Sequence, residues 1–252
     1  MKILIKEKED MELDKILKTI FKPLIILFNK IVSHIHFLDP RENTKQRIIT
    51  AVILVPIALI AIFYSKDLFM FIAIAIAIMM TAEWLDISRN QVDQNKWRII
   101  GFFYILIPIY SVIKLRFYSS EVLFWMFAVI WSTDIFAFFA GKMLGGAKLA
   151  PNISPNKTWS GMIGGVTASM IIGFMSSFMF AGGVMFFIFL SAFLSIVEQI
   201  SDLLESKFKR IFGVKDSGNI IPGHGGVLDR MDGMMLLAPL VLFLVTILPA
   251  RF

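Results

Sequence analysis

Long apolar runs separated by short polar clusters dominate the chain from residue 48 onward. A helix needs about 20 mainly apolar residues to cross the hydrocarbon core of a bilayer. Seven windows meet or approach that length: 48–64, 68–85, 97–115, 121–140, 159–181, 183–204 and 231–249. The third is the weakest, since its uninterrupted apolar part runs only from Ile99 to Ile113 and carries Pro108. Pro56 and Pro108 are compatible with spans, because neighbouring helices can satisfy the carbonyls that a proline frees. The pattern predicts an all-α polytopic transmembrane bundle of about seven spans, or more if two short helices share a window.

Residues 1–46 follow a different pattern. A charge-rich run from Lys2 to Lys18 is too polar for the apolar core of a signal peptide. A short patch follows, with Leu24, Leu27, Phe28, Ile31, Ile35 and Leu38 near one helical face and Lys22 and Lys30 interrupting it. This reads as a cytosolic or interfacial amphipathic extension, against the plainer alternative of a poorly ordered tail, and it leaves 47–252 as one transmembrane domain. No repeat or linker marks a second soluble domain.

Composition agrees with a membrane protein: 57% of the 252 residues are hydrophobic, above the usual globular share, and the mean hydropathy is +0.76. The net charge of +6 is informative only by location. Of the 25 lysines and arginines, 21 fall in the odd-numbered segments between or beyond the windows and 4 in the even ones. Cytoplasmic loops retain positive charge, so this alternation predicts an odd number of crossings with the N-terminus in the cytosol. The absence of cysteine excludes disulfides, zinc–thiolate sites, iron–sulfur clusters and thiol nucleophiles. With only three histidines, two of them near the N-terminus, hard oxygen-bound cations such as Mg²⁺ are the natural metal.

Two stretches on the cytosolic side break the apolar monotony. The first runs from Trp131 to Gly165. Asp134 lies within an apolar window, where an ionised carboxylate costs at least ~2.5 kcal/mol and faces the protein interior; a structural carboxylate bonded to a neighbouring helix is the alternative. The following loop carries Lys142, Lys148, Ser154, Asn156, Lys157 and Thr158, and its prolines Pro151 and Pro155 keep a helix from running through it. Such a loop suits an anion. Gly161 and Gly165 form a GxxxG spacing that points to close helix packing rather than chemistry.

The second stretch, Glu198 to Gly233, is denser. Glu198, Asp202 and Glu205 at i, i+4 and i+7 share one helix face, which Ser206 and Lys209 continue. Lys207, Arg210 and Lys215 add positive charge, and the glycine-rich run around His224, Gly225 and Gly226 frees backbone N–H groups for an anion. Asp229 and Asp232 then share a face at the start of the last window. A solvated loop would account for the lysines and helix-dipole complementarity for one aspartate. Neither accounts for carboxylates on two adjacent helix ends flanking a glycine- and lysine-rich loop, a combination suited to a metal–nucleotide complex.

The run SKFKRIFGVKDSGNIIPGHGGVLDRMD resembles the signature of the phosphatidate cytidylyltransferase family, also called CDP-diacylglycerol synthases. The matching positions are Ser206, Lys209, Arg210, Lys215, Asp216, Pro222, His224, Gly225, Gly226, Asp229, Arg230 and Asp232. KLAPNISPNKTWSG resembles the same family's SPxKT loop through Ser154, Pro155, Lys157 and Thr158. The close resemblance covers about 130–235. Two positions depart from it: Ser201 stands where glycine is common, and Ser160 where many members carry glutamate.

The resemblance implies transfer of CMP from CTP to phosphatidic acid, giving CDP-diacylglycerol and pyrophosphate for phospholipid biosynthesis. It implies Mg²⁺ as cofactor, with a second, monovalent ion such as K⁺ left open, and a homodimer in a bacterial inner membrane with its active site facing the cytosol. It implies Asp202, Asp229 and Asp232 as metal ligands. Lys209, Arg210, Lys215 and Arg230 would act on phosphates, with Asp216 in the same catalytic set. His224 would contact a phosphate or protonate pyrophosphate, or else stabilise the turn. Ser154, Pro155, Lys157, Thr158, Ser206, Gly225 and Gly226 would bind substrate. No nucleic-acid partner is expected. A transporter is the chief rival, since Glu83, Asp134, Glu198 and Asp202 lie in or near spans, but it would need polar groups near the midplane. The DGxxAR pattern of CDP-alcohol phosphotransferases is absent.

Overall fold

The computed structural model describes residues 56–218 and 226–252. The amphipathic extension expected over 1–46 lies outside the described residues, as do Pro222, His224 and Gly225.

The described chain is almost wholly helical. Helix α1 covers 56–63, followed by α2 (Lys66–Ile87), α3 (Gln94–Tyr118) and α4 (Ser120–Leu144). A short antiparallel ribbon of β1 (Lys148–Ala150) and β2 (Ser154–Thr158) then leads to α5 (Trp159–Ser176) and α6 (Val184–Ile211). The chain ends with α7 (Leu228–Met231), α8 (Met234–Ile247) and a 3₁₀ turn, Pro249–Arg251. The ribbon is the one departure from all-α structure among the described residues. Pro151 and Pro155 bar a helix there, and extended backbone takes its place.

Five helices, α2 to α6, are long and apolar enough to cross a membrane. Large apolar side chains such as Phe71, Ile78, Phe102, Phe139 and Phe189 lie on their outer faces, uncovered by protein; exposure on this scale fits a lipid surround rather than water. The protein is therefore an all-α membrane protein. Helix starts follow local chemistry: the hydroxyls of Ser65, Ser119 and Thr158 accept hydrogen bonds from the backbone N–H groups of Leu68, Val122 and Gly161 at 3.2, 3.0 and 3.1 Å.

The last window, 231–249, is filled by α8, with the short α7 just before it. α8 alone is 14 residues, about 21 Å at 1.5 Å per residue. Asp232 and Gly233, between α7 and α8, nevertheless keep right-handed helical dihedrals (φ −53°, ψ −44° and φ −61°, ψ −34°), so the backbone direction carries on from Leu228.

Small residues set the helix spacing. A Cβ on Gly164 would lie 2.4 Å from the Ala140 Cβ, and one on Gly161 would lie 2.7 Å from the Ala137 carbonyl oxygen. A Cβ on Gly165 would lie 3.0 Å from the Thr133 carbonyl oxygen, so both members of the GxxxG pair pack α5 against α4. Thr133 Oγ1 donates to Ser195 Oγ at 2.9 Å and Trp125 Nε1 to Ser191 Oγ at 3.1 Å, linking α4 to α6. Near the end of α6, Trp84, Trp97, Tyr104, Phe208 and Phe212 form an aromatic cluster with ring centroids 4.9 to 6.5 Å apart. This fixes the C-terminal turns of α6 against α2 and α3.

Candidate active site

The C-terminal half of α6 carries Glu198, Asp202, Glu205, Ser206 and Lys209. Helical periodicity alone places them on one face; packing decides what that face meets. Glu198 and Glu205 are each 1% exposed. Lys209 Nζ lies 2.7 Å from Glu205 Oε2 and 2.7 Å from Asp229 Oδ1, so one ammonium joins α6 to α7. Asp202 is ion-paired with Lys157 from β2, and Ser206 Oγ lies 3.5 Å from Asp202 Oδ1. The ribbon and α6, some 45 residues apart in sequence, thus meet across a carboxylate.

Asp229 accepts hydrogen bonds from three directions. Besides Lys209, the Gly226 N–H donates to Oδ2 at 2.9 Å and the Ser217 N–H to the same oxygen at 3.0 Å. Burial pushes its carboxyl up, but these donors and the Lys209 charge outweigh it and hold Asp229 below the usual carboxylate range. Asp232 accepts from the Gly233 N–H at 2.8 Å. Its backbone carbonyl receives the hydroxyl of Ser201, which also accepts the Leu236 N–H at 3.2 Å. Ser201, one of the two departures from the family pattern, is a buried link between α6 and the start of α8.

The remaining residues spread around this centre. Arg210 is exposed and donates to the carbonyls of Ile153 (3.2 Å) and Val214 (3.1 Å), tying the tip of the ribbon to the end of α6. Lys215 and Asp216 are exposed on the following loop, and Pro155 on β2. Ser154 is half-buried. The buried Thr158 spends its hydroxyl on capping α5 and also lies 3.0 Å from Ser160 Oγ, which donates to the Gly145 carbonyl.

Two cavities adjoin the centre. A cleft of about 500 Å³ is lined by Asp134, Lys142, Asn156, Lys157, Gln199 and Asp202 among others. An apolar cavity of about 200 Å³ lies among α1 to α4, with Ile72, Ile76, Val112 and Phe127 in its walls and Asp134 and Arg230 as its charged lining. Asp134 lines both. Sequence reasoning missed Gln199, which reads as one polar residue in an apolar helix. It gave Glu83 no role beyond that of an intramembrane acid, although Glu83 turns out to bind the loop before α7.

The donor set suits a hard cation. Asp134, Glu198, Asp202, Glu205, Asp229 and Asp232 offer only oxygen, and Glu198 Oε2 and Glu205 Oε1 are buried with no hydrogen-bond partner among the described residues. No three metal-type side chains among the described residues converge as a ready-made cage; Lys157 and Lys209 stand against the carboxylates instead.

Comparison with known proteins gives a consistent answer. The model of the cytidylyltransferase family matches residues 45–117 and 96–248. A phosphatidate cytidylyltransferase of Rickettsia bellii (strain RML369-C) is 42% identical over 217 residues, covering 81% of this chain and 91% of the relative. One from Rickettsia felis (strain ATCC VR-1525 / URRWXCal2) is 39% identical over 224 residues, covering 84% and 96%. One from Brucella abortus biovar 1 (strain 9-941) is 45% identical over 176 residues, covering 68% and 62%.

Proposed function

The chain belongs to the cytidylyltransferase family, and from that premise we propose that it is a phosphatidate cytidylyltransferase, transferring CMP from CTP to phosphatidic acid with release of pyrophosphate. The observation that carries this reading is the pair of cavities meeting at Asp134. The cleft has Lys142, Asn156, Lys157 and Gln199 in its wall, groups that suit a nucleotide, and the second cavity, with Arg230 in its lining, suits a lipid whose head is a phosphate.

In the reaction an oxygen of phosphatidate attacks the α-phosphorus of CTP. The bond from that phosphorus to the bridging oxygen of the β-phosphate breaks, and pyrophosphate leaves with the electron pair. The attacking oxygen is already ionised near neutral pH, so no protein nucleophile is needed and a chain without cysteine loses nothing. The protein must align two anions that repel one another and neutralise the leaving group. Lys157, from the cleft wall, meets the triphosphate, and Arg230 the phosphatidate head. Lys215 and Arg210, at the exposed rim, attract both anions. Lys209 holds Asp229 in place from α6. Asp202, Asp229 and Asp232 would hold Mg²⁺, which supplies neutralisation of the pyrophosphate charge when bound. Family resemblance supports a role for His224 at a phosphate, for K⁺ as a companion ion and for a homodimer.

The lysine and arginine distribution supports an N-terminus in the cytosol and a site facing it, in the inner membrane of a bacterium. Continuous helical dihedrals from α7 into α8 support a crossing there. The test is an assay of purified protein in detergent with radiolabelled CTP, with phosphatidate supplied or withheld. Label entering the lipid phase only with phosphatidate and Mg²⁺ is the expected result; no lipid-dependent transfer would refute the assignment.

A further inference from the structure

Glu83 lies near the C-terminal end of α2 and is 4% exposed. A buried carboxylate is costly unless its oxygens are satisfied, and each of these is. Glu83 Oε1 accepts the Val227 N–H at 2.8 Å, and Oε2 accepts the Leu228 N–H at 2.8 Å and the Ser217 hydroxyl at 3.1 Å. The donors come from both sides of the segment 219–225 and immediately precede Asp229. The space is built around this carboxylate: a Cβ on Gly218 would come 2.8 Å from Oε1, and one on Gly226 2.7 Å from Oε2. Ser217 serves both acids, its hydroxyl bound to Glu83 and its N–H to Asp229.

We propose that Glu83 is a positioning residue for the reaction: it clamps the loop ends at Ser217 and Val227–Leu228, so that Asp229 is held against Lys209 of α6 in one fixed orientation. The proposal rests on the cytidylyltransferase reading for its functional half. Its structural half stands on the hydrogen bonds alone. It also gives Gly226 a reason apart from anion binding, since a larger residue would displace the clamp. Glu83 touches neither the cleft nor the apolar cavity, so it acts through Asp229 and not on substrate.

Two readouts on the full-length protein separate these halves. In Glu83→Gln one carboxylate oxygen becomes an amide NH₂, which cannot accept. Because Val227 and Leu228 bond different oxygens of Glu83, hydrogen exchange at one of these two amides should then rise about tenfold or more, the scale of one hydrogen bond to a charged group. The Mg²⁺ concentration for half-maximal CTP:phosphatidate activity should rise about tenfold, as for second-shell losses at metal sites, with the KM for phosphatidate within about twofold of wild type on the same principle, since no lipid contact is lost. Ser217→Ala removes only the hydroxyl donor, and a smaller shift of the Mg²⁺ requirement in the same direction is expected; it serves where Glu83→Gln does not accumulate. Unchanged exchange at Val227 and Leu228 overturns the clamp. Faster exchange or a lower melting temperature with an unchanged Mg²⁺ requirement reduces Glu83 to a structural acid and overturns the functional half. If wild-type protein shows no transfer at all, the assigned reaction falls and the exchange measurement alone decides the clamp.

Discussion

At the scale of single residues, Asp229 is held by more contacts than any one neighbour would supply. Lys209, Gly226 and Ser217 all donate to it, and its carboxyl is kept below the usual range in spite of burial. A carboxylate with a depressed folded value contributes stability that is fully present above its unfolded value and lost as pH falls through the folded one. Asp229→Asn keeps the shape but not the charge. Mg²⁺-dependent transfer should fall by about a hundredfold or more, at or beyond the upper end of second-shell losses. The acid-side loss of thermal stability should become shallower than in wild type, as followed by melting in detergent. An undiminished rate would refute the proposal that Asp229 holds Mg²⁺. Much of this site was legible in the sequence as a list: the carboxylates on one face of α6 and the aspartates before α8. Their partners were not. Nothing local says that Lys157 meets Asp202 or that Glu83 meets Val227, because those pairs are 45 and 144 residues apart.

At the scale of elements, the ribbon and the α4–α5 pair decide whether Lys157 reaches α6. The turn into the ribbon passes through Gly145 and Gly146, whose φ values of 61° and 100° few other residues adopt. The ribbon then ends directly in the N-cap of α5. Thr158→Val keeps the volume and removes the capping hydroxyl, and should cost about 1 kcal/mol. Gly164→Val, forced against Ala140 at less than contact distance, should cost more, about 1–3 kcal/mol from overpacking. Both are read as loss of thermal stability in detergent, and a Gly164→Val protein as stable as wild type would contradict the close α4–α5 packing. The GxxxG spacing announced this contact in the sequence, because small residues on one face have little other use. The ribbon was not legible as strands: its prolines excluded a helix, but pairing between β1 and β2 depends on α4 and α5 bringing the ends together.

At the scale of the whole molecule, the polar centre sits at one end of a bundle whose outer faces are apolar. The chain has no cysteine, which makes single introduced cysteines unambiguous reporters. Lys215→Cys should react with a membrane-impermeant maleimide only when the cytosolic face is accessible, and Tyr64→Cys, between α1 and α2, only from the opposite side. Labelling of both from one side would contradict the orientation inferred from charge.

Hydrophobic run length determined by itself that the chain is a helical membrane protein, and the placement of lysine and arginine determined the expected side of its loops, because both respond to the bilayer one segment at a time. Motif resemblance named the family. Only the tertiary structure decided which carboxylate Lys157 and Lys209 each hold, that Asp134 lines two cavities, and that Glu83 reaches across from α2 to the loop before Asp229. Those outcomes depend on distances between helices far apart in sequence, and such distances are set by packing of the entire bundle rather than by any local pattern.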